Sequence, residues 1–144
     1  MSYHTWHDYG YGVNLHGLKF DSAERVVSVL AMTPHILEQI QKELEENEIT
    51  IPTVDDYLEY GDFTCGIAGL LSEVIEETEG ISFYVCEDFD GYKYIMYPPI
   101  YPWEMQTIDH TITKEKIEEI LSKYLKMLTD SHFDVEMVES ANGG

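Results

Sequence analysis

The chain has 144 residues, with 28 Asp and Glu against 8 Lys and Arg, a formal net charge of −20 and 44% hydrophobic residues. An acidic disordered segment would lack the apolar surface to offset chain entropy, so this composition belongs to one folded domain able to bury roughly 70% of its unfolded surface. The charge argues against direct contact with nucleic acid or an anionic lipid surface, since both repel such a field, and it points to a basic protein partner. No apolar run is long enough for a membrane span, and Met1–Gly12 lacks the charged and apolar regions of a signal peptide. The expected location is cytoplasmic. Cys65 and Cys86 are then expected as buried thiols.

In chain order, Tyr9, Tyr11, Val13 and Leu15 alternate with Gly10, Gly12 and Asn14, the period of a half-buried strand. The two glycines invite close approach to one face, by packing or by a ligand. Asp21 with Glu24 resembles a capping box for a helix carrying Val26, Val27 and Leu30. Thr33 and Pro34 start a second helix with Ile36, Leu37, Ile40 and Leu44 as its stripe. Thr53 with Asp56 opens a short third helix that Gly61 ends, and a fourth presents Ile67, Leu70, Leu71, Val74 and Ile75 before a left-handed cap at Gly80.

Two strand-like runs follow, residues 81–88 and 92–97, joined at Asp90-Gly91. Pairing Phe89 with Tyr92 sets Val85 opposite Met96 and Cys86 opposite Ile95, which makes both faces apolar. Residues 98–103 (PPIYPW) read as an extended aromatic loop. A long helix over residues 113–129 and a strand with Phe133, Val135 and Met137 inward complete the pattern. The order β-α-α-α-α-β-β-α-β predicts an α+β domain, residues 1–139, on a mainly antiparallel sheet of about four strands, with residues 140–144 as a flexible tail.

The negative charge is concentrated. Residues 34–79 carry thirteen acids and one base, more than half of the whole excess. Glu43, Glu45, Glu46 and Glu48 crowd one helix C-terminus, and Glu76, Glu77 and Glu79 crowd another, with Glu73 one turn before them. Acids there oppose the helix dipole, at about 0.3–1 kcal/mol each, and like charges three or four residues apart add to the cost. Local rules broken twice in the same sense mark a place to look for function. Carboxylates spaced roughly 5–6 Å apart along a helix also approximate the spacing of phosphates on one nucleic-acid strand. The candidate partner-binding set adds Asp55, Asp56, Glu59 and Asp62 to these acids, with the aromatics Tyr57, Tyr60, Tyr101 and Trp103 setting partner choice. The plain alternative is a solvated face that serves solubility.

Chemistry is harder to find. His4, His7 and Asp8 are a dense cluster of ligand types, but a strand would point the two imidazoles to opposite faces. Residues 87–91 fail as a calcium loop, because Cys86 and Tyr97 would occupy its first and twelfth positions. Asp109-His110 lacks a nucleophile, and Cys65 lacks a histidine partner. No metal, cofactor or catalytic residue is assigned.

In size, charge and its Glu-rich helical region Glu38–Glu79, the chain resembles the small acidic inhibitors of phages and mobile elements, anti-CRISPR proteins and other DNA mimics among them. That class resemblance has no residue-level motif. It implies a non-enzymatic inhibitor that binds a basic nucleic-acid-handling protein, such as a CRISPR effector or another nuclease, and occludes its nucleic-acid site. The alternatives are an immunity protein or antitoxin against a basic nuclease toxin, a small metal or thiol enzyme using His4, His7 and Asp8 or Cys65, and an adaptor subunit of a larger assembly.

Overall fold

A computed structural model describes the backbone of residues 5–97 and 112–143, and the side chains of residues 9–97 and 112–141. The elements are β1 (Thr5–Asn14), α1 (Ala23–Leu30), α2 (Pro34–Glu46), α3 (Val54–Gly61), α4 (Ile67–Glu79), β2 (Tyr84–Glu87), β3 (Lys93–Tyr97), α5 (Lys114–Leu128) and β4 (Glu136–Gly143). The fold is α+β, in the order that the hydrophobic periodicity predicts.

Helix starts follow local chemistry. The capping box at α3 is complete: Thr53 Oγ1 accepts from the Asp56 amide, and Asp56 Oδ2 accepts from the Thr53 amide. At α1 the cap is Ser22, one residue beyond the expected Asp21, and its hydroxyl accepts from the Arg25 amide. Thr33 precedes Pro34 at α2 as expected, but its hydroxyl donates backwards to the Leu30 carbonyl and caps nothing. Gly80 takes the left-handed conformation that ends α4.

The sheet is antiparallel with strand order β2-β3-β1-β4. On one face α4 lies over β2 and β3, and α5 lies over β1. α1 packs on α5, and with α2 and α3 it forms an outer helical layer. The main core fills the space between. Val13, Ile95, Leu70, Leu71, Ile75, Leu121, Tyr124 and Leu125 are all but fully buried there, each worth about 1.5–3 kcal/mol of transfer free energy. Tyr124 carries its hydroxyl into this core and donates to Glu79 Oε2 at 3.0 Å, with Thr78 Oγ1 at 2.6 Å.

The hairpin is offset by one residue from the expected pairing. Val85 faces Ile95 and Cys86 faces Tyr94. The Asp88 amide donates to the Tyr92 carbonyl, so the loop is the three residues Phe89, Asp90 and Gly91, with Gly91 left-handed. Asp88 decides this: Oδ1 accepts from the Asp90 and Tyr92 amides and Oδ2 from the Tyr94 hydroxyl. A two-residue turn would forfeit that set. The shift moves Val85 and Ile95 to the helix-covered face. Cys86, Tyr94 and Met96 form a smaller cluster with Tyr92 and Val138 on the other. β3 is buried on both faces, as expected, while β2 is an edge strand.

Gly10 and Gly12 lie on that second face. A Cβ at Gly10 would stand 2.7 Å from Met96 side-chain atoms, and one at Gly12 2.0 Å from the Ile95 carbonyl oxygen. The close approach that the glycines permit is therefore that of the neighbouring strand. The sheet coils enough for the Phe89 amide to donate to the Ala141 carbonyl, so the hairpin turn meets β4. β4 itself runs to Gly143, so residues 140–143 pair with β1 and are not a tail, and Ser140 is buried. Met137, expected inward, is 54% exposed. Cys86 is buried and Cys65 partly exposed, and both are thiols. No helix among the described residues is long and apolar enough to cross a membrane.

Candidate interaction surface

The twelve candidate carboxylates divide into three groups by what their side chains touch. α2 is the clearest. Ile40 and Leu44 anchor its inner face, and His35, Glu38, Gln39, Lys42, Glu43 and Glu46 line one open groove along its outer face. Glu45 is exposed at the margin of that face, and Glu48 is exposed just beyond the helix in the left-handed conformation. Lys42 is the one base between residues 34 and 79, and it stands four residues from both Glu38 and Glu46.

This face continues onto α4. His35 Nε2 lies 2.9 Å from Glu77 Oε1, joining the start of α2 to the end of α4. Glu73 stands next to this junction. Burial pushes its carboxyl above the usual range, and Glu77, Glu76 and Asp62 push it further in the same direction. Glu76, Glu77 and Asp62 are thus each within electrostatic reach of Glu73, although Asp62 comes from the end of α3. A band of carboxylates runs from Glu46 through Glu43 and Glu38 to Glu77, Glu73, Glu76 and Asp62.

Three of the expected contact acids do other work. Asp56 is held in the α3 capping box. Glu79 is withdrawn beside α5, where it accepts from Tyr124 and lies 3.6 Å from Lys123 Nζ. Asp55 faces a different groove, between α3 and the residues that follow β1. Glu59 is exposed on α3.

The aromatic expectation changes more. Tyr57 is 7% exposed and packs in the core, with Val54 and Leu58 of the same helix partly buried against it. Tyr60 is partly buried against the same core. Tyr101 and Trp103 lie outside the described residues, as do Asp109-His110 and the side chains of His4, His7 and Asp8. Periodicity marks Tyr57 as inward, since it falls one turn from Val54 and Gly61 on the buried stripe. Glu38 and His35, absent from the expected contact set, belong to the band. The signal for them is helical spacing, as Glu38, Lys42 and Glu46 repeat every four residues.

Among the described residues, no three His, Cys, Asp or Glu side chains converge as a metal site. Cys65 has a left-handed backbone just before α4. Its thiol is pushed up by burial first and by Glu87, with Lys93 pulling it down. A thiol so shifted stays protonated at neutral pH, unlike an activated nucleophile. No family model matches the chain, and no curated protein and no solved structure does either.

Proposed function

We propose that this protein is a non-enzymatic acidic inhibitor that binds a basic nucleic-acid-handling protein and occupies its phosphate-binding surface. The continuity of the carboxylate band across α2, α4 and the end of α3 is the observation that carries this reading. Charge spread evenly around the helices would imitate nothing, whereas carboxylates lined along one helical face offer a row of anions at nucleic-acid-like spacing. The band sits on helix surface, and among the described residues lining its α2 groove only His35 and Lys42 can carry positive charge. Glu43, Glu45, Glu46, Glu76 and Glu77 stand in last turns, where they oppose the helix dipoles, a standing cost in stability that a purely structural surface has no reason to carry. Glu38, Glu43, Glu46, Glu73, Glu76, Glu77 and Asp62 are the contact residues in this reading, with Glu45 at their margin. Glu48 and Glu59 flank them, and Tyr101 and Trp103 remain candidates for partner choice.

Association of such a surface with a basic groove is fast and salt-sensitive, because charge complementarity acts first on encounter. The test is affinity capture of the tagged protein from host lysate, eluted by a salt gradient and read by mass spectrometry. A basic nuclease or RNA-guided effector released as salt rises is the expected result. Retention of no basic protein at low salt would overturn the proposal.

A further inference from the structure

A second groove is independent of the acidic band. It has a volume of about 380 Å³ and lies between the β1–α1 connection, α3, the start of α4 and the hairpin. Leu15, Leu18, Phe20, Val54, Leu58 and Ile67 supply apolar walls. Tyr92 adds a flat one, with the His16 ring stacked on it at 3.8 Å. The volume falls within the range of small-molecule pockets.

Lys93 is the distinctive group in this groove. It is partly buried, and among the described residues no carboxylate pairs with it, although the chain carries 28 acids. The described ion pairs are Arg25–Asp130, His35–Glu77, Lys123–Glu79 and His132–Asp134. Its cross-strand partner Glu87 is in none of these ion pairs, but its Oε1 lies 3.7 Å from where a Cβ of the groove-lining Gly91 would stand, so a second carboxylate borders the groove. Lys93 Nζ lies instead 3.8 Å from the corresponding point at Gly66, as does Leu58 Cδ1. Gly66 precedes the thirteen-residue helix α4, whose first-turn amides receive no side-chain cap. A partly desolvated ammonium favours a counter-charge, and the helix terminus adds positive potential in the same place. Asp55, exposed on the rim of the groove, disfavours a ligand of high negative charge.

We propose that this groove binds a small organic monoanion, a carboxylate on an aromatic or branched apolar body, with Lys93 Nζ as its counter-charge. The apolar body lies against Leu18, Phe20 and Leu58, and the carboxylate reaches the Lys93 ammonium beside Gly66. A phosphate monoester fits less well, because its second charge meets Asp55 and its polar shell meets apolar walls.

The probe is 3-phenylpropionate, titrated into the ¹⁵N-labelled protein while amide shifts are followed, with the neutral isostere 3-phenylpropan-1-ol as the comparison. Saturable shifts at Gly66, Ile67 and Gly91 are expected with the acid. The alcohol, and the acid on Lys93→Gln, should each bind about tenfold or more weakly. Asp55→Asn, altered at the exposed rim, should tighten binding of the acid, and it supplies the test if Lys93→Gln does not fold. No shift at these amides at millimolar acid, equal binding of acid and alcohol, or unchanged affinity in both variants would overturn the proposal.

Discussion

At the scale of single residues, position relative to neighbours decides what a carboxylate does. Asp56, Asp88 and Glu79 accept hydrogen bonds that hold the α3 cap, the hairpin loop and the Tyr124 hydroxyl. Glu73 is the opposite case, a carboxyl raised by burial and by three neighbouring acids. A raised carboxyl favours the folded state while protonated, and that contribution is lost as pH rises through its folded value. Glu73→Gln is therefore expected to raise the urea midpoint at pH 7 and to leave it unchanged at about pH 3, well below the ordinary Glu range, where the carboxyl is neutral in the folded and unfolded states alike. An equal effect at both pH values would mean that the charge of Glu73 is not what destabilises the fold.

At the scale of elements, helix existence, order and apolar faces were legible because periodicity and capping chemistry speak locally. The stripe of α5 and the capping box of α3 needed no tertiary information. The hairpin register did not follow from the Asp-Gly signal, because one side chain, Asp88, gathers three donors and selects a longer loop. The continuation of β4 to Gly143 was hidden too, since Ala-Asn-Gly has low strand propensity and only pairing with β1 makes it a strand. The acidic cluster was visible as composition, but its extension from α2 to α4 depends on the long-range His35–Glu77 contact. The last turn of α2 has no base, and Glu45 and Glu46 are exposed there. Replacing both with Lys should raise stability by about 0.5–2 kcal/mol, measured by urea unfolding, while weakening capture of a basic partner. Unchanged capture in the stabilised variant would reduce these acids to surface charge.

At the scale of the whole molecule, a rolled antiparallel sheet and two layers of helix hold a protein of net charge −20 in which acids are not dispersed. The band on α2 and α4 differs in kind from the other exposed acids, such as Glu115, Glu118 and Glu119 on α5, which alternate with Lys114, Lys116 and Lys123. Total charge is the same lever wherever it is removed, but a binding face is not. That difference permits a matched comparison of two variants, Glu43, Glu45 and Glu46 to Gln, and Glu115, Glu118 and Glu119 to Gln. Each variant loses three negative charges. The decisive measurement is retention of the captured basic partner by wild type and both variants at low salt, with duplex DNA and single-stranded RNA added as competitors. The account predicts loss of the partner from the α2 variant alone, and its displacement from wild type by the nucleic acid it normally holds. Equal weakening by both variants, with no displacement by either competitor, would contradict it.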